Sequence, residues 1–363
     1  MNILIIKLSA IGDVVHVLPS LEELRLLYPN AHITWLIEED SQSLIRGHPL
    51  LDKVLVSRRK QWMKNLLKFA RIRETLIELT VFMKDLRSRR YDLVIDFQRL
   101  FKSGIMVLFS GGKRKLGYKS FQEMSFLFYN ETIFEDMGKH AVDRYLDFLR
   151  YLGAETGKPK FNIPISYKDK KHIRDLFQTY HIQHDDLVIS VSPIALWETK
   201  LWAEENFAHL CDRIIEEFNA RVIFTGNRKK EMITGIIAKM KYGAIDLSGK
   251  TNLRELACLY QNSDLVISTD SGPMHIAAAV QIPVVAIFGP TSYLRTGPYG
   301  EGHGIVNKNL PCSPCFKRKC KTGKCMKEIT VHEVFEAVRS KLLKCLKQPG
   351  KFVKIRQNLL AGI

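Results

Sequence analysis

Asp264-Leu265-Val266-Ile267-Ser268-Thr269-Asp270-Ser271-Gly272-Pro273-Met274-His275 reads as a buried strand that ends in a carboxylate and a glycine turn and opens directly into a helix. The apolar, β-branched start suits a strand covered on both faces. Pro273 fits a first helical turn, where its missing N–H costs nothing, and Ile276-Ala277-Ala278-Ala279-Val280 continues as a closely packing helix. Free N–H groups at that helix start, at the positive end of its dipole, would seat a diphosphate. Alone, the run reads more readily as an ordinary strand-to-helix turn than as a phosphate seat.

A second element of the same form shifts the balance. Met1-Asn2-Ile3-Leu4-Ile5-Ile6-Lys7-Leu8-Ser9-Ala10-Ile11-Gly12-Asp13 is again strand, glycine-containing turn and helix, with the helix expected over Val14 to Tyr28 and Asp13 at the turn. Two such units, one early and one late, point to two nucleotide-fold halves. Ligands of open α/β sheets bind beyond the carboxyl ends of the strands, so Asp13 and Asp270 are expected on opposite walls of one cleft.

The chain of 363 residues, 46% of them hydrophobic, is long enough for two cores. Strands are expected near Ile3–Lys7, His32–Ile37, Leu93–Asp96, Leu187–Val191, Val222–Thr225, Leu265–Thr269 and Val284–Phe288, separated by helical stretches. That alternation predicts parallel sheets covered on both faces, an α/β fold. Gly157, Pro159 and Pro164 punctuate a polar stretch from Gly153 to Tyr167, giving expected domains at 1–160 and 168–330 and a C-terminal helix with a basic tail at 331–363. No stretch approaches the roughly 20 apolar residues of a membrane span, and the N-terminus reads as a strand rather than a signal peptide, so a cytoplasmic chain is expected. Seven cysteines, an odd number in a long chain, argue against a disulfide framework.

The formal charge of +17 is unevenly placed. Arg58 to Arg90 holds eleven Lys/Arg against three Asp/Glu, with Trp62, Leu66, Phe69 and Phe82 interleaved, and Arg339 to Arg356 is again basic. Polyanionic partners follow: nucleic acid, an anionic membrane surface or a phosphorylated glycolipid, beside the plain alternative of a solvated helix face. Zinc-finger spacing, an aromatic RNA-binding signature and a helix-turn-helix pair are all missing from the sequence, so nucleic acid is not expected.

At the level of ordered motifs the chain resembles the lipopolysaccharide heptosyltransferases, most closely the heptosyltransferase I type. The resemblance is carried by Lys7-Leu8-Ser9-Ala10-Ile11-Gly12-Asp13-Val14-Val15-His16, Trp35-Leu36-Ile37-Glu38-Glu39, Asp96-Phe97-Gln98 with Lys102-Ser103, Leu127-Phe128-Tyr129-Asn130, His140-Ala141-Val142-Asp143-Arg144, Lys200-Leu201-Trp202 and Asp270 to His275. It implies a GT-B glycosyltransferase of two Rossmann-like domains, with the acceptor on the N-terminal domain, ADP-heptose on the C-terminal one, and inversion at the anomeric carbon.

Inverting transfer needs a base for the acceptor hydroxyl proton, and a carboxylate at a turn can supply it; Asp13 is the candidate, beside its reading as the N-cap of the helix. Charge on the leaving diphosphate must be met by a metal or by protein donors. No metal is required for transfer on this reading: Lys200 is the expected cation, joined by Asp270, Ser271, Gly272, Pro273 and His275. The resemblance adds Glu231 for the ribose hydroxyls and Thr251, ahead of the capping-box pattern Asn252-Leu253-Arg254-Glu255, for the adenine. It assigns the Kdo-lipid A acceptor to Lys64, with Arg58, Arg59 and Lys60 nearby. Gln122 stands before Glu123 where heptosyltransferase I members commonly carry arginine, which leaves the acceptor's identity open.

A second departure is Cys312-Ser313-Pro314-Cys315-Phe316-Lys317-Arg318-Lys319-Cys320-Lys321-Thr322-Gly323-Lys324-Cys325. Cys312, Cys315, Cys320 and Cys325 have the density of a zinc or iron knuckle, and also fit a reduced surface loop or disulfides. Protein-modifying heptosyltransferases carry cysteine-ligated iron, so the segment bears on the acceptor too. The expectation is a heptosyltransferase, peripheral at the inner face of the inner membrane, that adds heptose to Kdo-lipid A. A second-heptose or protein acceptor is the near alternative, and a nucleic-acid-binding protein the remote one.

Overall fold

The computed structural model describes residues 1–119, 122–227 and 230–346. It forms two compact units, Met1–Pro164 and Ile165–Ile363. The first holds β1 (Asn2–Ile6), β2 (His32–Glu38), β3 (Lys53–Ser57), β4 (Leu93–Asp96), β5 (Arg114–Tyr118) and β6 (Glu131–Ile133), in the order β3-β2-β1-β4-β5-β6. The second holds β7 (Val188–Ser192), β8 (Arg221–Phe224), β9 (Ile245–Asp246), β10 (Leu265–Thr269), β11 (Val284–Ile287) and β12 (Gly304–Val306), in the order β12-β11-β10-β7-β8-β9. Every pairing is parallel.

Both units are Rossmann-like and together GT-B-like. In each, the chain runs outward from the first strand through two more and then returns to that strand's other side. The strand order therefore reverses between β1 and β4, in register at Ile6 and Asp96, and between β7 and β10, in register at Ser192 and Ser268. A crevice opens at such a reversal because the connections on either side leave in opposite directions. The apolar runs form central strands because both of their faces are covered: β1 after Asn2, β4, β7, β10 and β11 are buried throughout.

Three expectations change. The first helix is Ile11–Leu27, not Val14–Tyr28, and its N-cap is Ala10. Asp13 lies inside the first turn, where its Oδ2 accepts the Ala10 N–H at 3.2 Å. A carboxylate there serves an unpaired N–H as well as a cap side chain would, so the helix starts earlier. The strands β3, β5, β6, β9 and β12 were not anticipated, because they are short or partly exposed and lack a continuous apolar signal. The C-terminal helix, Val331–Leu346, is part of the second unit: Val334, Phe335, Val338 and Leu342 enter its core with Trp202, Phe207 and Val285. The end of the basic segment, beyond residue 346, lies outside the described residues.

Candidate functional site

The carboxyl ends of β7 and β10 bring two charged side chains together. Lys200 Nζ is 2.6 Å from Asp270 Oδ2, with the lysine side chain 16% and the aspartate 6% exposed. Thr291, in the loop after β11, donates its hydroxyl to the same Oδ2 at 2.5 Å. Lys200 is held there by its neighbour: Trp202 is buried in the second core and donates Nε1–H to the Ile329 carbonyl at 2.9 Å, which pins the backbone two residues away. The ammonium also stands 4.6 Å from the centre of the Trp197 ring.

Beside this pair the helix Gly272–Ala279 begins, with Pro273 in its first turn and Ser271 as an N-cap whose side chain makes no cap hydrogen bond. Ser271 Oγ lies 3.4 Å from Ser268 Oγ, away from the helix start. The first helical N–H groups therefore keep their capacity for an anion, next to a lysine oriented by a buried carboxylate. His275 is buried one turn further in.

The seat continues toward β8. Thr251 is buried, and its carbonyl accepts Asn227 Nδ2–H at 3.4 Å. The following capping box is present as expected: Asn252 Oδ1 accepts from Arg254 and Glu255 N–H, and Glu255 accepts from Asn252 N–H. Glu231 is exposed in the first turn of the helix Lys230–Lys239, which follows β8. Lys200, Asp270, Ser271, Gly272 and Pro273 thus cluster tightly, with Thr251 and Glu231 after the neighbouring strands.

In the first unit Asp13 sits at the corresponding β1/β4 reversal. Its Oδ2 is 3.7 Å from Lys7 Nζ, and Asp13 is 39% exposed against 3% for the lysine. Lys7 donates to Tyr145 Oη at 2.8 Å and to the Phe97 carbonyl at 3.1 Å. Burial pushes the Lys7 ammonium below the usual lysine range, against the opposing pull of the Asp13 and Asp96 carboxylates. Gln98 Oε1 accepts both the Leu8 and Ser9 N–H groups at 3.0 Å and ties the β1 loop to the end of β4. Asp96 supports this clamp by accepting Gln98 N–H and Tyr129 Oη–H, each at 2.7 Å. Burial raises the Asp96 carboxyl, opposed by those hydrogen bonds.

Asp13 is thus the solvent-facing end of a buried polar lattice, an arrangement able to take a proton from a bound hydroxyl. Lys7, Gln98 and Tyr129 stand in motifs whose pattern was readable, while their role in holding the Asp13 turn was not. Tyr145, on the helix Ala141–Tyr151, gave no signal at all, because its contact with Lys7 spans 138 positions.

The expected acceptor cations divide. Arg59 pairs with Glu38 at 3.1 Å, Lys60 with Glu38 at 3.4 Å and Asp40 at 2.7 Å, and Arg58 with Glu39 at 3.2 Å. Lys102 adds a further contact to Glu38 at 3.3 Å. Glu38 is buried at the end of β2, so these cations balance an acidic turn whose role the sequence pattern does not reveal. Lys64 is exposed on the helix Arg59–Leu67 and has no carboxylate partner among the described residues.

The cysteine segment docks on the end of β11: Cys315 and Phe316 N–H donate to the Pro290 carbonyl, and Ser313 Oγ–H to that of Gly289. The packing at Gly289 is close: a Cβ there would meet Met326 Sδ at 2.5 Å, so the methionine would have to shift. Cys312 and Cys320 are exposed and Cys315 and Cys325 half-buried, all as free thiols. Cys320 Sγ accepts the Gly323 N–H, and burial followed by the neighbouring Cys315, Cys312 and Cys320 thiols pushes the Cys325 thiol up. Among the described residues no three His, Cys, Asp or Glu side chains are grouped to hold a metal ion. The segment does reach the seat: Arg318 stacks 5.0 Å from the centre of the Trp197 ring, which Lys200 also covers, and the Lys317 carbonyl accepts Thr199 Oγ1–H.

Comparison with known proteins gives a consistent picture. The family model described as glycosyltransferase family 9 (heptosyltransferase) matches residues 79–326. The lipopolysaccharide core heptosyltransferase OpsX of Haemophilus influenzae is 28% identical over 311 residues, 84% of this chain and 84% of that protein. Lipopolysaccharide heptosyltransferase 1 of Pseudomonas aeruginosa is 28% identical over 324 residues, 88% of this chain and 87% of its own. The solved structure of E. coli heptosyltransferase WaaC with ADP-2-deoxy-2-fluoro heptose superposes with a TM-score of 0.73 at 22% identity, covering 94% of this chain and 99% of that one.

Proposed function

This chain belongs to glycosyltransferase family 9, the heptosyltransferases, and from that premise we propose that it transfers heptose from ADP-heptose, with inversion, to the Kdo-lipid A region of the lipopolysaccharide inner core. The observation that carries the donor half is the Lys200–Asp270 pair at the β7/β10 reversal, set against an open helix start. A similar fold has been solved with an ADP-heptose analogue, which supports the same donor class.

In the proposed reaction the acceptor hydroxyl oxygen bonds to the anomeric carbon while Asp13 takes its proton. The bond from that carbon to the diphosphate oxygen breaks, and ADP leaves with the electron pair. Lys200 and the N–H groups of Ser271 and Gly272 meet the charge that builds on the departing diphosphate, and such preorganised donors act most strongly in the transition state. Asp270 keeps Lys200 aimed while the seat is empty. Lys7, 3.7 Å from Asp13 Oδ2 and itself held by Tyr145 and the Phe97 carbonyl, helps fix where that carboxylate sits. Glu231 and Thr251 are the proposed ribose and adenine contacts. Lys64, exposed and without a carboxylate partner among the described residues, is the proposed acceptor cation, with Arg58, Arg59 and Lys60 in a supporting role. The acceptor is a membrane glycolipid, so the enzyme works peripherally at the membrane surface.

The reading is tested with purified protein, ADP-heptose and three acceptors: Kdo-lipid A, the same glycolipid already bearing one heptose, and a peptide. ADP release coupled to a heptose mass increase on the first alone supports it. Transfer to either of the others moves the enzyme to that acceptor, and ADP-heptose left intact with all three overturns it.

A further inference from the structure

The helix Arg59–Leu67 and the helix Ile72–Leu86 form an excursion between β3 and β4, and the second turns only one face to the core. It buries Thr75, Phe82 and Leu86, with Phe82 against Trp62 at 5.2 Å between ring centres. The opposite face of such a helix is ordinarily polar. Here it carries Leu76, Ile77 and Val81, each more than half exposed, and the tip between the two helices adds Leu67 and Phe69, 74% and 84% exposed. Phe69 has a positive φ of 50°, uncommon for a bulky residue, and its ring stands in solvent. Leu108 and Phe109 are also exposed, and Arg87, just past the end of this helix, donates to the Phe109 carbonyl and lies 5.5 Å from its ring.

The charge around this face is one-sided. Lys64, Lys68, Arg71, Arg73 and Lys84 are all exposed. Of the three acids between Arg58 and Arg90, Glu78 accepts Trp62 Nε1–H at 2.8 Å and Asp85 pairs with Lys53 at 3.3 Å, leaving Glu74. The cations at 58–60 are already engaged with Glu38, Glu39 and Asp40, whereas those beside the apolar face are not so matched among the described residues. Large apolar side chains collared by lysine and arginine are the surface that settles into an anionic bilayer, apolar groups among the acyl chains and cations at the headgroups.

We infer that the outer face of the Ile72–Leu86 helix, with the Leu67–Phe69 tip, is the docking surface of this enzyme for anionic lipid bilayers. The inference rests on the proposal that the acceptor is a membrane glycolipid, and it names the segment that brings the enzyme to it. Membrane binding then belongs to lipid headgroups in general and requires no saccharide.

Co-sedimentation with phosphatidylcholine vesicles, with and without about one-third phosphatidylglycerol and with no glycolipid acceptor, tests it. The wild-type chain should bind the anionic vesicles, more weakly as salt rises, and leave the neutral ones. Two triple variants, Leu76→Ser/Ile77→Ser/Val81→Ser and Lys68→Glu/Arg71→Glu/Arg73→Glu, should each lose at least tenfold in vesicle affinity while keeping the wild-type melting temperature and ADP affinity. Wild-type protein that ignores anionic vesicles, or triple variants that bind as wild type, overturns the inference. A concentration-dependent dimer abolished by the serine variant would assign the face to a second copy and overturn it too. Transfer to detergent-dispersed Kdo-lipid A separates the two claims: if it persists while vesicle binding is absent, the docking surface fails and the acceptor stands. Vesicle binding without any transfer has the opposite meaning, with the docking surface standing and the acceptor lost.

Discussion

Replacing Lys200 by methionine removes the cation from the donor seat and leaves Asp270 6% exposed beside Thr291 alone. At 2.6 Å the pair's gross attraction is about 6 kcal/mol for an effective dielectric of about 20, much of it offset by the desolvation of both ions. Stranding one partner of a buried pair costs about 3–5 kcal/mol, or roughly 6–20 °C in melting temperature for a unit of this size. The functional loss is a separate quantity. One preorganised donor on a leaving group contributes about 2–4 kcal/mol, so kcat/KM for ADP-heptose should fall about 30- to 1,000-fold. The double variant Lys200→Met/Asp270→Asn separates the two, because removing the stranded charge should return most of the melting temperature and none of the rate. Released ADP measured at a temperature where every variant is folded, beside scanning calorimetry, is the assay. If kcat/KM recovers along with the melting temperature, Lys200 serves only as the counter-ion of Asp270 and the reasoning is refuted.

Asp13→Asn should lower turnover about 10²- to 10⁴-fold, the usual worth of a general base, with ADP affinity by calorimetry unchanged; turnover within a few-fold of wild type would leave Asp13 as a helix-start carboxylate. Thermal stabilisation should be larger with ADP than with UDP or GDP, since the seat beside Thr251 and Asn227 is proposed to take adenine, and equal shifts with all three would remove that assignment. Glu333 tests electrostatics away from the site. Its hydrogen bond from Lys308, with others from Thr330, holds the carboxyl at about 2 against an ordinary 4.5. The ionised form is the one favoured by folding, so this stability is present above pH 4.5 and fades as pH falls toward 2. Because the side chain is 40% exposed, Glu333→Gln should cost only about 0.5 kcal/mol, or 1–2 °C, at pH 7. That difference should vanish near pH 2, and a gap that persists there would place the effect in packing.

What could be read in advance was whatever the chain encodes locally. β10 and the helix at Gly272 were legible because a fully buried strand, a glycine turn and a first-turn proline each leave a mark within a few residues. Lys200 was legible through Trp202, whose burial fixes the lysine from two positions away. The edge strands were not, since a strand such as Gly304–Val306 owes its conformation to pairing with β11 rather than to its own pattern. The same division runs through the site. Asp13 announced itself as a carboxylate at a turn, but what orients it comes from far away in sequence: Gln98 and the Phe97 carbonyl, adjacent only once β1 and β4 pair, and Tyr145 on the helix Ala141–Tyr151. The basic stretch shows the limit most clearly. By count, the cations from Arg58 to Arg90 looked interchangeable, yet Glu38 draws Arg59, Lys60 and Lys102 inward while Lys64, Lys68, Arg71 and Arg73 stay on the exposed side. A charge run states how much charge there is; the acids it folds against decide which part of it remains available to a partner.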